Sequence, residues 1–179
     1  RRGDSAQIHK LLHSGSVRLG FVGAMLEPDS MAYFPMLEDH LVMCTANNPH
    51  YQALKKQNVY GRDLLREPTV AREEGSGTDR TVQSYMRNMG LADQDLHIVA
   101  RVDDPEAIKR MTAQGVGVSV LSALSVASEV DDGRLLTFPM DPQGLHRSIY
   151  LVYPRETILS QSEQAFVRFC RQMAIRRNL

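Results

Sequence analysis

The sequence predicts an α/β fold with mainly parallel sheets and flanking helices. Three observations carry this expectation. Short apolar strands alternate with short amphipathic helices, glycine, proline or a capping residue separates them, and no repeat or low-complexity segment breaks the pattern. Such strand–helix–strand units close with right-handed crossovers. The 179 residues suffice for one full domain or two small lobes, and a chain of this size buries roughly 70% of its unfolded surface. With 42% apolar and 23% charged residues, the composition is that of an ordinary globular protein.

Residues 5–14 place Ile8, Leu11 and Leu12 at helical spacing, with Asp4 or Ser5 as N-cap and Gly15 as the stop. Residues 17–22 read as a strand ending at Gly23. A second strand covers 41–44, entered through Glu38-Asp39 and broken by Asn47-Asn48-Pro49. Helical segments at 51–57 and 61–66 lead to Pro68, and 69–71 form a short strand. Gly75-Ser76-Gly77-Thr78 then opens a helix whose Val82, Tyr85, Met86 and Met89 lie on one face, closed by Gly90.

A strand is expected at 96–102, followed by Asp104-Pro105-Glu106 as a helix start with capping carboxylate, proline and dipole-matching acid. Gly115 ends that helix. A strand at 116–121, a helix over 122–130 and a turn at Asp131-Asp132-Gly133 follow. Residues 135–138 and 148–152 read as strands around a loop with Pro139, Pro142 and Gly144. A last helix over 162–175 aligns Ala165, Phe166, Phe169, Cys170 and Met173 as its apolar stripe.

Charge excludes one class of function. Lys plus Arg and Asp plus Glu number 21 each, so no overall basic field favours nucleic-acid binding by this chain. Arg171, Arg176 and Arg177 read as a solvated helix face. Cys44 and Cys170 stand far apart and read as small buried hydrophobes in a reducing compartment. The start lacks the apolar stretch of a signal peptide and no run of 18 apolar residues exists, so a cytoplasmic protein is expected, with no membrane partner. The six histidines form no metal-ligand spacing. His146 reads as a surface residue. No nucleophile elbow is present, and Ser119 and Ser122 have no evident base. Neither metal, cofactor nor catalytic residue is therefore expected.

The most informative stretch is Gly75-Ser76-Gly77-Thr78. Its glycines allow close backbone approach, its hydroxyls donate and accept, and the following helix offers unpaired N–H groups to a carboxylate or small anion. Arg72 stands ready to add a full positive charge if it points inward. Alternatively, Ser76 or Thr78 only caps the helix. The motif is neither a P-loop nor a dinucleotide fingerprint. Two other strand ends converge on such a place, Phe21-Val22-Gly23 and Asp103. Asp104 reads as a cap.

The chain resembles the effector-binding domain of LysR-type transcriptional regulators. The resemblance rests on Val17-Arg18-Leu19-Gly20-Phe21-Val22, Leu37-Glu38-Asp39-His40-Leu41-Val42, Arg72-Glu73-Glu74-Gly75-Ser76-Gly77-Thr78, Glu106-Ala107-Ile108-Lys109 with Gly115-Val116-Gly117-Val118, and Gly133-Arg134-Leu135. It implies a two-lobed fold similar to type 2 periplasmic binding proteins, lobes at 1–67 plus 155–179 and at 68–154, and a cleft for a small anionic or carboxylate effector. Contacts are implied from Gly75, Ser76, Gly77 and Thr78, from Phe21, Val22 and Gly23, and from Asp103, beside the Arg72 read from its position. It also implies a chain that starts after the first strand, promoter DNA bound only through an absent winged helix-turn-helix, and a homodimer or homotetramer. The implied dimer sets Ile8 and Leu12 against Val82 and Met86 of a second copy. Asp79 departs from the family, which commonly has a basic residue there, and this weakens the case for a highly charged anion. A transporter's solute receptor of the same fold is the competing expectation, and an enzyme on that fold is a third.

Overall fold

The structure, a computed structural model, describes residues 1, 3–92 and 95–177, with side chains as far as Ala174. The expected basic face at Arg176 and Arg177 lies outside the described side chains. The chain divides into two compact units, Arg1–Glu38 with Gly75–Gly77 and Arg147–Leu179, and Asp39–Glu74 with Thr78–His146. This partition differs in position from the 67/68 and 154/155 boundaries drawn from the sequence.

The first unit is a sheet with a helix on each face. β1 (Gly20–Val22) pairs antiparallel with β7 (Leu145–Pro154), Gly20 opposite Val152 and Val22 opposite Tyr150. Alternation along β7 sends Val152 and Leu151 to opposite faces. Val152 joins Ile8 and Leu12 of α1 (Ser5–His13), Val22 and Met31 in one cluster. Leu151 joins Val167 and Cys170 of α6 (Gln161–Arg177) in another. The Asp4 carboxylate caps α1 by accepting from the Gln7 N–H at 2.7 Å, as the sequence led us to expect.

Two expectations about helix faces are corrected here. The described apolar residues of α6 fall on two stripes, and the one with smaller side chains, Val167, Cys170 and Ala174, packs inward. Phe166, Phe169 and Met173, expected inside, are 45%, 58% and 40% exposed, and Ala165 is exposed as well. Small residues let a helix approach a sheet closely, which bulky aromatics would prevent. Likewise Ile8, Leu12 and Met86, assigned to a subunit interface, are 8%, 3% and 1% exposed within this chain. Side chains buried in the chain's own core cannot face a second copy. Val82 is half-buried and packs on the core of its own unit.

His9 fixes the segment that follows β1. Its Nδ1 lies 2.5 Å from the Ser5 carbonyl, which can only accept, so Nδ1 carries the hydrogen. The Tyr33 hydroxyl accepts from Leu26 and Glu27 N–H at 3.2 and 3.1 Å, and therefore donates to His9 Nε2 at 2.6 Å. Tyr33→Phe leaves both N–H groups and the ring nitrogen without that oxygen, at about 2 kcal/mol of stability. Chemical denaturation should register that loss, and an unchanged midpoint would refute the network.

In the second unit the other half of β2 (Met31–Ala46) lies between β5 (Ser119–Ser122) and β6 (Leu135–Pro139), both antiparallel. Leu41 and Met43 point to a cluster with Val118, Val120 and Phe138, whereas Cys44 points to one with Val70, Ile108 and Leu121. Parallel pairing occurs between β3 (Thr69–Arg72) and β4 (Ile98–Val102) and at the Thr69–Val118 bridge. The remaining described pairings are antiparallel, so parallel geometry is confined to β3 and the two segments beside it, rather than running through most of the sheet as expected. α3 (Gly77–Asn88) provides the crossover from β3 to β4.

α2 (Pro49–Lys56) is capped by Asn48, and α4 (Pro105–Ala113) by Asp104, whose Oδ1 accepts from the Glu106 N–H at 3.0 Å. α5 (Ala127–Asp131) starts later than the helix expected from 122. Turns bonded from Ser122 occupy that start, with the Ser125 hydroxyl donating to the Ser122 carbonyl. Burial pushes the Cys44 thiol up to about 12 and raises that of Cys170, which suits inert apolar packing for both.

Candidate ligand site at the Gly75–Gly77 turn

Between β3 and α3 the chain must turn sharply and then begin a helix. Gly75 does so at φ +85°, a left-handed conformation that favours glycine. Ser76 is then 1% exposed and Thr78, the second residue of α3, 3%. Gly77 is fitted against a second glycine. A Cβ built on it would lie 2.9 Å from the carbonyl carbon and oxygen of Gly23 and 3.0 Å from its Cα. The Gly75–Gly77 turn and the end of β1, two of the three places expected from the sequence, therefore meet backbone to backbone.

Two further side chains join them. The Gly23 N–H donates to the Ser5 hydroxyl at 3.3 Å, and Ser5, in the first turn of α1, is 5% exposed. A Cβ on Gly23 would lie 3.0 Å from Arg147 Nη1, so that guanidinium rests directly over the glycine. A cation beside backbone amides at a turn and a helix start is an arrangement that holds a carboxylate, sulfate or phosphate group. Sequence reasoning missed Arg147, since an arginine at a strand position carries no spacing signal. It read Ser5 only as a cap.

Other expected contacts are placed differently. Val22 is 4% exposed and its side chain belongs to the first unit's core, so it has only backbone to offer. Phe21, on the opposite face of β1, is 48% exposed. Arg72 donates through Nε and Nη2 to both oxygens of Glu73 at 2.7 Å, which neutralises the charge it was expected to supply. Asp103 is exposed beyond β4. Asp79 is paired with Arg101, whose Nη1 is 3.2 Å from Oδ1, and its Oδ2 accepts from Gln83 Nε2 at 3.1 Å. Arg101 also approaches Glu74 at 3.6 Å. Around these groups the second unit has a cavity of about 40 Å³ lined by Arg72, Thr78, Asp79 and Arg101 over Leu65 and Val82.

The model of the LysR substrate binding domain family matches residues 1–174. Phosphonates import ATP-binding protein PhnC of Anaeromyxobacter dehalogenans is 29% identical over 94% of this chain and 33% of its own length. The RuBisCO operon transcriptional regulator of Allochromatium vinosum is 28% identical over 93% of this chain and 54% of its own. The chain thus spans about half, or less, of these curated relatives. Among solved structures, the regulatory domain of Synechocystis CcmR, in complex with 2-PG, is 25% identical with a TM-score of 0.81, over 96% of this chain and 80% of that one. The effector-binding domain of QuiR, in complex with shikimate, shares the fold at a TM-score of 0.83 and 17% identity, over 97% of this chain and 79% of that one.

Proposed function

Because the chain belongs to the LysR substrate-binding domain family, we propose that it senses a small anionic or carboxylate effector for a transcription regulator and catalyses no reaction. The observation that carries this reading is the contact of Gly77 with Gly23 beneath the Arg147 guanidinium, which sets oriented amides and one cation in the same unit. Ser5, Gly75 and Ser76 complete the proposed contacts. Phe21 is retained from the sequence reading. Arg72, its charge matched by Glu73, is given up as a ligand. The neighbours' complexes with 2-PG and with shikimate are in keeping with the sensing of a small molecule.

Regulation then follows from linkage. An effector that prefers one arrangement of the protein shifts its population by no more than the difference in affinity, typically about 1–3 kcal/mol. Promoter DNA is bound through a segment outside this chain. Self-association as a dimer or tetramer, and lobes at 1–67 plus 155–179 and 68–154, remain parts of the proposal. The names of the regulator relatives favour it over a transporter's solute receptor. No helix among the described residues is long and apolar enough to cross a membrane. A cytoplasmic site of action is part of the proposal.

The test is calorimetric titration with shikimate, sulfate and inorganic phosphate. At least one should bind, and Arg147→Ala and Ser76→Ala should each weaken it about tenfold, the loss of one charge-assisted hydrogen bond. Full affinity in both variants would overturn the site.

A further inference from the structure

A pair of histidines far from the Gly75–Gly77 turn in sequence is brought together by the strand order. His40 on β2 and His146 on β7 stand on neighbouring strands. Their rings meet edge to face with centroids 4.4 Å apart, and ligating nitrogens of the two rings lie within 4.8 Å of each other. Both side chains are exposed. Two imidazoles presented side by side to solvent are an N-donor pair for a borderline divalent cation.

The ring of His146 is held in place by the turn before it. Asp141 Oδ1 accepts from the Gln143 N–H at 2.8 Å, and Gly144 follows at φ +77° with its N–H donating to the Asp141 carbonyl at 3.1 Å. His146 Nε2 lies 2.9 Å from the Gln143 carbonyl. A carbonyl only accepts, so Nε2 carries the hydrogen and Nδ1 is the lone-pair nitrogen. Metal-ligating histidines typically donate their other N–H in this way, which fixes tautomer and ring orientation. A Cβ on Gly144 would lie 2.8 Å from Nε2, so only glycine leaves room for the folded-back ring.

We propose that His40 and His146 bind one Zn²⁺, Ni²⁺ or Cu²⁺ ion. Water completes the shell. Zn–N bonds of about 2.0–2.1 Å require the two nitrogens roughly 3.3 Å apart, a closure that rotation of two exposed rings provides.

The experiment is calorimetric titration of the chelator-treated chain with ZnCl₂ and NiCl₂ at neutral pH. Binding of one ion per chain is expected, at least tenfold weaker in His40→Ala and in His146→Ala. Gly144→Ala, which displaces the His146 ring, should weaken it as well. His13→Ala and His50→Ala, at exposed histidines elsewhere, should leave it unchanged, and circular dichroism checks that each variant is folded. Absence of Zn²⁺ and Ni²⁺ binding, or binding indifferent to both His40→Ala and His146→Ala, would overturn the proposal.

Discussion

Gly77→Ala is expected to abolish measurable effector binding and to lower the unfolding midpoint by several degrees. The added methyl would stand 2.9–3.0 Å from three backbone atoms of Gly23. A rotamer change relieves a clash with a side chain but not one with main chain, so either the turn or the end of β1 has to move. Overpacking of this kind costs about 1–3 kcal/mol, and each kcal/mol lowers the midpoint of a chain this size by roughly 2–4 °C. The binding loss arises separately. Ser76 and Gly23 flank the proposed anion position, and a shift of several tenths of an ångström degrades hydrogen bonds that depend steeply on distance and angle. Ser84→Ala, at an exposed position of α3, is the control. Scanning calorimetry together with ligand titration separates the two effects. Wild-type affinity in a folded Gly77→Ala protein would show that this contact does not shape the site.

The contrast between what the residues announced and what they concealed follows the range of the forces involved. The start of α4 was legible because Asp104, Pro105 and Glu106 act within one turn, through a cap bond, a fixed φ and the dipole. The strand–turn–helix from β3 to α3 was legible for the same reason. β2 was recognised only at 41–44, because Pro35 and Glu38-Asp39 resemble breakers. Yet Asp39 is 2% exposed, with the Ser122 hydroxyl donating to it at 2.6 Å, a partner that no local pattern names. The glycines at 75–77 signalled a close approach, but not that Gly23 was what approached. Arg147 over Gly23 and the balance of Arg72 by Glu73 depend on side-chain direction, which periodicity does not encode. α6 shows the limit of periodicity itself. Its apolar residues satisfy two stripes, and close packing against Leu151 selected the one with smaller side chains.

Lys109→Met is expected to destabilise the protein by about 3 kcal/mol, near the lower end for breaking a buried ion pair, or roughly 6–12 °C in midpoint. The Lys109 ammonium is 8% exposed and bonds Glu106 at 2.8 Å, Glu129 at 3.0 Å and the Ser125 carbonyl at 3.1 Å, tying α4 to α5. Its removal leaves the Glu129 carboxylate, 9% exposed, with Arg134 at 3.6 Å as a weaker partner. Burial pulls the Lys109 pKa down, but hydrogen bonds to Glu106 and Glu129 outweigh this and hold it above 10.5. Burial also pushes Glu129 up, and the bond from Lys109 outweighs that and holds it below 4.5. The contribution from Glu129 is therefore present above about 4.5 and disappears as pH falls through its lowered value. That from Lys109 is present below 10.5 and disappears as pH rises past its raised value. In the Lys109→Met protein the buried carboxylate is eased by taking up a proton, so the two stability curves should converge as pH falls below about 4.5. The double variant Lys109→Met with Glu129→Leu should recover most of the loss, because no buried charge is left uncompensated. Urea unfolding at pH 7 and pH 4 measures both effects. An equal gap between wild type and Lys109→Met at the two pH values would mean that lost packing by the lysine stem, rather than the unpaired carboxylate, sets the loss.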